Sequence, residues 1–226
     1  MNRFLPAIVS FCLSCLLVFP PTTHAVADMD AEAALRAAAA AGDTSAIERL
    51  IAAGTNADAR DGQGRSALLV AVDAGSDEAV ATLLAAGADV NAQAANLDTP
   101  WLLAGARGHA RMLREMIPRG PDLSLVNRYG GSALIPACER GHVEAVEVLL
   151  TTKIDVDLVN NLGWTCLLEI VVLGNGGPQH VAVTRMVLDA GADPNIADRQ
   201  GVSPLQHARQ RAQAEVARLI AAAGGR

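Results

Sequence analysis

From about residue 30 onwards, hydrophobic and polar positions follow one another in blocks that recur along the chain. Each block opens on a hydroxyl residue, Ser66, Thr99, Ser132, Thr165 or Ser203, whose side chain suits the free N–H groups at a helix start. Pro100 and Pro204 follow two of them at the first helical position, where no N–H is needed. An apolar pair comes next (Leu68-Leu69, Trp101-Leu102, Leu134-Ile135, Leu167-Leu168) and predicts a short buried helix. Gly75, Gly108 and Gly141 then supply a left-handed stop. A second helix carries Val80, Leu83 and Leu84 in one block and Val146, Leu149 and Leu150 in another, an i, i+3, i+4 stripe that must be buried. The block closes on turn formers, Gly87-Ala88-Asp89-Val90-Asn91 or Gly191-Ala192-Asp193-Pro194-Asn195.

The five hydroxyl residues are spaced 33, 33, 33 and 38 residues apart, so the chain is a repeat array. Its pattern predicts an all-α repeat solenoid of helix-turn-helix units joined by hairpin-like turns. Six units are expected: residues 31–60, 61–93, 94–126, 127–159, 160–197 and 198–224. The first and last are atypical, as caps with one face in water should be. Residues 174–178, Gly-Asn-Gly-Gly-Pro, read as an insertion between the helices of unit five, and as a flexible loop.

These blocks resemble the ankyrin repeat. The family pattern Gly-x-Thr-Pro-Leu, Ala-Ala-x-x-Gly-His, Leu-Leu-x-x-Gly-Ala-Asp-x-Asn can be read in Thr99-Pro100-Trp101, Ala104 to His109 and Leu83 to Asn91. The chain departs from it where Leu69, Leu102, Ile135, Leu168 and Gln206 replace a histidine, where Leu97 stands at a turn glycine, and at Lys153. The resemblance implies a protein-binding module whose partner contacts the hairpin tips and the exposed side of each first helix. Mapped onto this chain, the partner-binding positions are Arg65, Asp98, Arg107, Arg128, Tyr129, Glu139, Arg140, Asn161, Leu162, Trp164 and Arg199. Tyr129 and Trp164 are tip aromatics of the kind that dominate interface energetics, whereas Trp101 replaces a core leucine. Arginines outnumber acids at these positions on a chain of net charge −6, which points to a partner with an acidic surface.

The N-terminus has a different character. Arg3, the apolar run Leu5 to Phe19 and the small residues Ala25-Val26-Ala27 read as a signal peptide over residues 1–27, cleaved at Ala27 or Ala25. The alternative, a retained anchor, meets an apolar run shorter than the ~20 residues of a spanning helix. A lipid-modified Cys15 is a third reading, opposed by Cys12 and Leu16 around it. Residues 28–226 are then an exported domain without a transmembrane segment, expected in a periplasm and as a monomer. Its acidic balance argues against nucleic acid.

Candidate chemistry is sparse. Gly62-x-Gly64 has the form of a dinucleotide fingerprint but lacks the preceding strand, and residues 174–177 lack the Lys and Ser/Thr of a phosphate loop. His109, His142 and His180 recur one per unit, too far apart at ~8–10 Å for a shared metal, and read as structural. Cys166 corresponds to Ala133, and Cys138 lies five residues further along that helix. A rise of ~7.5 Å added to a helix spacing of ~8–10 Å predicts Cα atoms beyond the ~7 Å bridging limit, and hence two unpaired thiols. No catalytic, cofactor or metal residue is expected. The sequence therefore suggests a non-enzymatic interaction module of the cell envelope, an inhibitor or immunity-type binder. An accessory factor stabilising a periplasmic enzyme, or a binder of an anionic envelope polymer, are its alternatives.

Overall fold

A computed structural model describes residues 23–226, with side chains from residue 28 on. The signal-peptide reading therefore falls largely outside the described residues. Its cleavage region, Ala25 to Ala27, enters only as part of helix α1, Thr23–Ala41, which begins ahead of the Ala31 start expected.

The described residues form six helix pairs and no strand: α1 with α2 (Thr44–Ala52), α3 (Ala67–Ala74) with α4 (Asp77–Ala85), α5 (Pro100–Arg107) with α6 (Ala110–Met116), α7 (Leu134–Arg140) with α8 (Val143–Leu150), α9 (Cys166–Val172) with α10 (Pro178–Asp189), and α11 (Pro204–Gln210) with α12 (Ala214–Ala222). The odd-numbered helices stack on one another and the even-numbered ones do the same. One continuous core runs between the two rows, and Trp101 lies inside it, 1% exposed.

Local chemistry sets most helix starts. Ser66, Thr99, Thr165 and Ser203 each accept a backbone N–H three residues on, and Ser203 with Gln206 completes a capping box. Unit four departs from this rule. Pro136 has no N–H to give the Ser132 carbonyl, α7 begins one residue late with Ala133 at its cap, and the buried Ser132 hydroxyl has no partner.

The histidine row packs against the turns one unit back. A Cβ on Gly108 would lie 2.7 Å from the His142 ring, and His180 Nε2 lies 2.9 Å from the Glu139 carbonyl. Its Nδ1 lies 3.0 Å from Asn175 Oδ1. The 174–178 loop is correspondingly pinned rather than flexible. Gln213 Nε2 donates to the Val171 and Gly174 carbonyls, and Gly174 is so enclosed that a Cβ would meet Ile170 O at 2.3 Å.

The expectation of two free thiols is wrong. Cys138 and Cys166 form a disulfide, with Cα atoms 5.6 Å apart. The same two slots one unit earlier hold Gly105 and Ala133. A Cβ on Gly105 would lie 2.6 Å from the Ala133 carbonyl oxygen and 2.7 Å from its Cβ. Successive first helices are therefore sheared along their axes by about the rise that separates the slots. Rise and lateral spacing do not add, and small residues at the crossing let the backbones approach closely.

Candidate functional site

The hairpin tips are built from five-residue turns closed by two backbone bonds each, such as Asn127 N–H to Gly131 O at 3.0 Å with Gly130 N–H to Asn127 O at 2.8 Å, and Asn160 N–H to Trp164 O at 3.0 Å with Gly163 N–H to Asn160 O at 2.9 Å. In four of them an Asp or Asn side chain at the first position accepts two amides inside the turn: Asp61, Asn127, Asn160 and Asp198. Unit three has Ala94 there instead. Its tip is held by Asn96, which accepts the Asp98 amide, and by Leu97 in the left-handed region at φ 67°.

Tips and first helices share one face of the stack. Arg65, Asp98, Arg107 and Arg128 come together there around a cavity of about 300 Å3 with Val70 and Leu103 in its lining. Arg107 pairs with Asp73 at 2.6 Å, and Arg65 with Asp61 at 2.8 Å. Burial pushes the Asp98 carboxyl up despite the opposing charge of Arg128. The Arg128 guanidinium lies 4.9 Å above the Tyr129 ring, leaving the tyrosine 56% exposed.

The C-terminal half of the face is less free than slot mapping suggests. Leu162 is 52% exposed, whereas Trp164 is only partly exposed and packs against the core. Asn161 donates its N–H to the Tyr129 carbonyl at 2.8 Å, and its own carbonyl accepts Arg199 Nη2 at 2.6 Å. Arg140 Nη1 donates to the Ala106 carbonyl, and Glu139 beside it is half-buried. Asn161, Arg199 and Arg140 thus stitch neighbouring units together.

One residue of this face was not picked out from sequence. Glu169 is 4% exposed, and its Oε1 accepts Asn160 Nδ2 at 2.7 Å while Oε2 has no partner. Burial pushes its carboxyl up to about 7, against the pull of the Asn160 amide and with the Glu139 charge adding to the rise. The signal was present in the repeat alignment. Slot 169 is Val70, Leu103 and Pro136 in the three units before it, and His207 in the next. Among the described residues no group of three or more His, Cys, Asp and Glu side chains is placed to hold a metal ion, and no helix is long and apolar enough to cross a membrane.

A family model for ankyrin repeats (3 copies) matches residues 9–94 and 101–198. The chain belongs to the ankyrin repeat family. Among solved ankyrin structures, a repeat domain from Acinetobacter baumannii AYE superposes with a TM-score of 0.82 at 47% identity, covering 85% of this chain and 98% of that one. The ankyrin repeat protein EF0377 gives 0.80 at 35% identity over 84% and 97%. The ankyrin repeat domain of Bcl-3, a member of the IkappaB protein family, gives 0.75 at 25% identity over 85% and 86%. A putative ankyrin repeat protein of Escherichia coli K12, YahD, is 42% identical over 57 residues, which is 25% of this chain and 28% of that relative. Ankyrin repeats are protein-interaction modules, and the family is typically non-enzymatic.

Proposed function

We propose that this ankyrin stack is an exported, monomeric binding protein that engages another protein of the cell envelope through its tip face. The observation that carries the reading is the convergence of Arg65, Asp98, Arg107 and Arg128 on one cavity beside the exposed Tyr129. Arg and Tyr in such a setting are the residue types that anchor interfaces. Leu162 and Trp164 extend the surface along the stack. In its concrete form the partner is an envelope toxin or hydrolase that the chain blocks, presenting an acidic group to Arg128. The Cys138–Cys166 disulfide supports an oxidising compartment, since structural disulfides are rare in the cytosol. Binding of an anionic polymer is less well supported, because Asp61 and Asp73 already neutralise Arg65 and Arg107.

The test is affinity capture by the tagged protein from envelope extract at low and moderate salt. Wild type should retain one stoichiometric protein at moderate salt, and Tyr129→Ala combined with Arg128→Ala should lose it. Equal retention by that double variant would move the site elsewhere. Capture of polymer alone, released as salt rises, would replace the protein-binding reading.

A further inference from the structure

Two hairpin tips are tied to the first helix behind them through a single side chain. In unit five, Asn160 Oδ1 accepts the Leu162 and Trp164 amides at 2.9 and 3.1 Å, while its Nδ2 donates to Glu169 Oε1. In unit six, Asp198 accepts the Gln200 and Val202 amides, and its second oxygen meets His207 Nε2 at 2.7 Å. Unit four builds the same turn on Asn127, yet Pro136 occupies the slot behind it. Only unit five places a carboxyl there, and that carboxyl is buried with one oxygen unpartnered. A half-satisfied polar group in a low-dielectric site is a costly feature to retain without a use.

We propose that Asn160 and Glu169 form a proton-operated latch on the unit-five tip: the protonated carboxyl holds the tip in its observed form, and ionisation turns the carboxylate towards water and releases Asn160. The proton passes from Glu169 to solvent, the Asn160 Nδ2 to Glu169 Oε1 hydrogen bond breaks, and no covalent bond other than the carboxyl O–H changes. The direction follows from linkage. The Asn160 amide by itself favours the carboxylate, but burial outweighs it and the Glu139 charge adds to burial, so the closed site favours the neutral acid, with the group pushed up to about 7, and proton binding favours closed over open.

The groups around the latch are accounted for. The α7 side contributes Glu139, whose charge disfavours ionisation, and Arg140, bound to the Ala106 carbonyl. The α10 side contributes His180, bound to Asn175 and the Glu139 carbonyl, while Arg185 acts on Glu215 of α12. The α11 side contributes His207, held by Asp198, and Arg209. The tip itself is braced by Arg199 on the Asn161 carbonyl. None of these satisfies Glu169 Oε2.

Asn161, Leu162 and Trp164 ride on this tip, so the latch would set the presented shape of that half of the binding face. That consequence rests on the proposed function, whereas the latch itself does not. The test is a pH titration of the free, 15N- and 13C-labelled protein by NMR. The Leu162 and Trp164 amides should move together in a one-proton step whose midpoint lies above the ordinary carboxylate range and no higher than about 7, matching the Glu169 carboxyl carbon. The Tyr129 and Gly131 amides of unit four should not share that step. Glu169→Gln should abolish it and leave the two amides at their low-pH positions. The proposal is overturned if the carboxyl carbon titrates while the amides stay still, or if the amide step survives in Glu169→Gln, which would assign it to a histidine. Should the variant fold poorly, coincidence of carbon and amide midpoints in the wild type decides. A flat titration would leave the captured partner untouched, and a failed capture would leave a positive titration standing.

Discussion

Cys138 and Cys166 face each other across adjacent first helices, their Cα atoms 5.6 Å apart, although the repeat period places them five residues out of register. Gly105 and Ala133 show the same offset one unit earlier without a bond to enforce it. The shear between α5 and α7 is therefore a property of the stack, and the disulfide occupies a crossing that already exists. It fastens units four and five directly behind the tips that carry Tyr129 and Trp164.

Reduction should reveal its contribution. Closing a loop with a sequence separation of 28 stabilises the fold by ~3–4 kcal/mol in the chain-entropy description. Urea unfolding with and without reductant, and of Cys138→Ala with Cys166→Ala, should show a midpoint lowered to match. An unchanged midpoint would mean that the bond does not form in the folded protein.

Glu169 gives a sign that can be checked. Its carboxyl is raised from 4.5 to about 7 in the folded state, so its contribution to stability is fully present below the unfolded value and is lost as pH rises through 7. Between about pH 5 and pH 8 the loss is up to ~3 kcal/mol. Glu169→Gln should flatten that part of the urea stability profile relative to wild type. Histidine contributions are common to both proteins and cancel in the difference.

Gly105→Ala sets helix propensity against packing. Propensity alone favours Ala by ~1 kcal/mol. The new methyl would meet the Ala133 backbone oxygen at 2.6 Å, and overpacking against backbone costs ~1–3 kcal/mol. Packing should win, and the thermal midpoint should fall. A rise would show that α5 and α7 can separate freely at this crossing.

Leu97→Gly should act in the opposite direction. Leu97 holds φ 67°, which costs a branched residue ~1–2 kcal/mol, more than the ~0.5–1 kcal/mol of extra chain entropy that glycine loses on folding. The side chain is 43% exposed, so only part of its surface packs and can be forfeited. A urea midpoint raised by the equivalent of ~0.5–1 kcal/mol is the expected result.

Tip positions were legible in the sequence because they recur at a fixed place in each unit, and Tyr129 and Leu162 do stand out from the surface. Their availability was not legible. Arg199, Asn161 and Arg140 occupy tip-face slots yet bond to neighbouring carbonyls, because each lies within reach of a unit about 33 residues away in the chain. Glu169 was visible as a charge in a slot that is apolar in earlier units, but its burial and its single hydrogen bond depend on what surrounds it.

The period, the helix pairs and most of their starts are written in local sequence, because capping, helical periodicity and turn chemistry act over fewer than about ten residues. Even the failure of Ser132 as a cap traces to a neighbour in the chain, Pro136. Tertiary structure decided how far one helix slides past the next, and with it the Cys138–Cys166 bond and the confinement of Gly105. It also decided which arginines remain free and where the Glu169 carboxyl lies. These depend on side-chain fit between segments some thirty residues apart, and no local pattern records that fit.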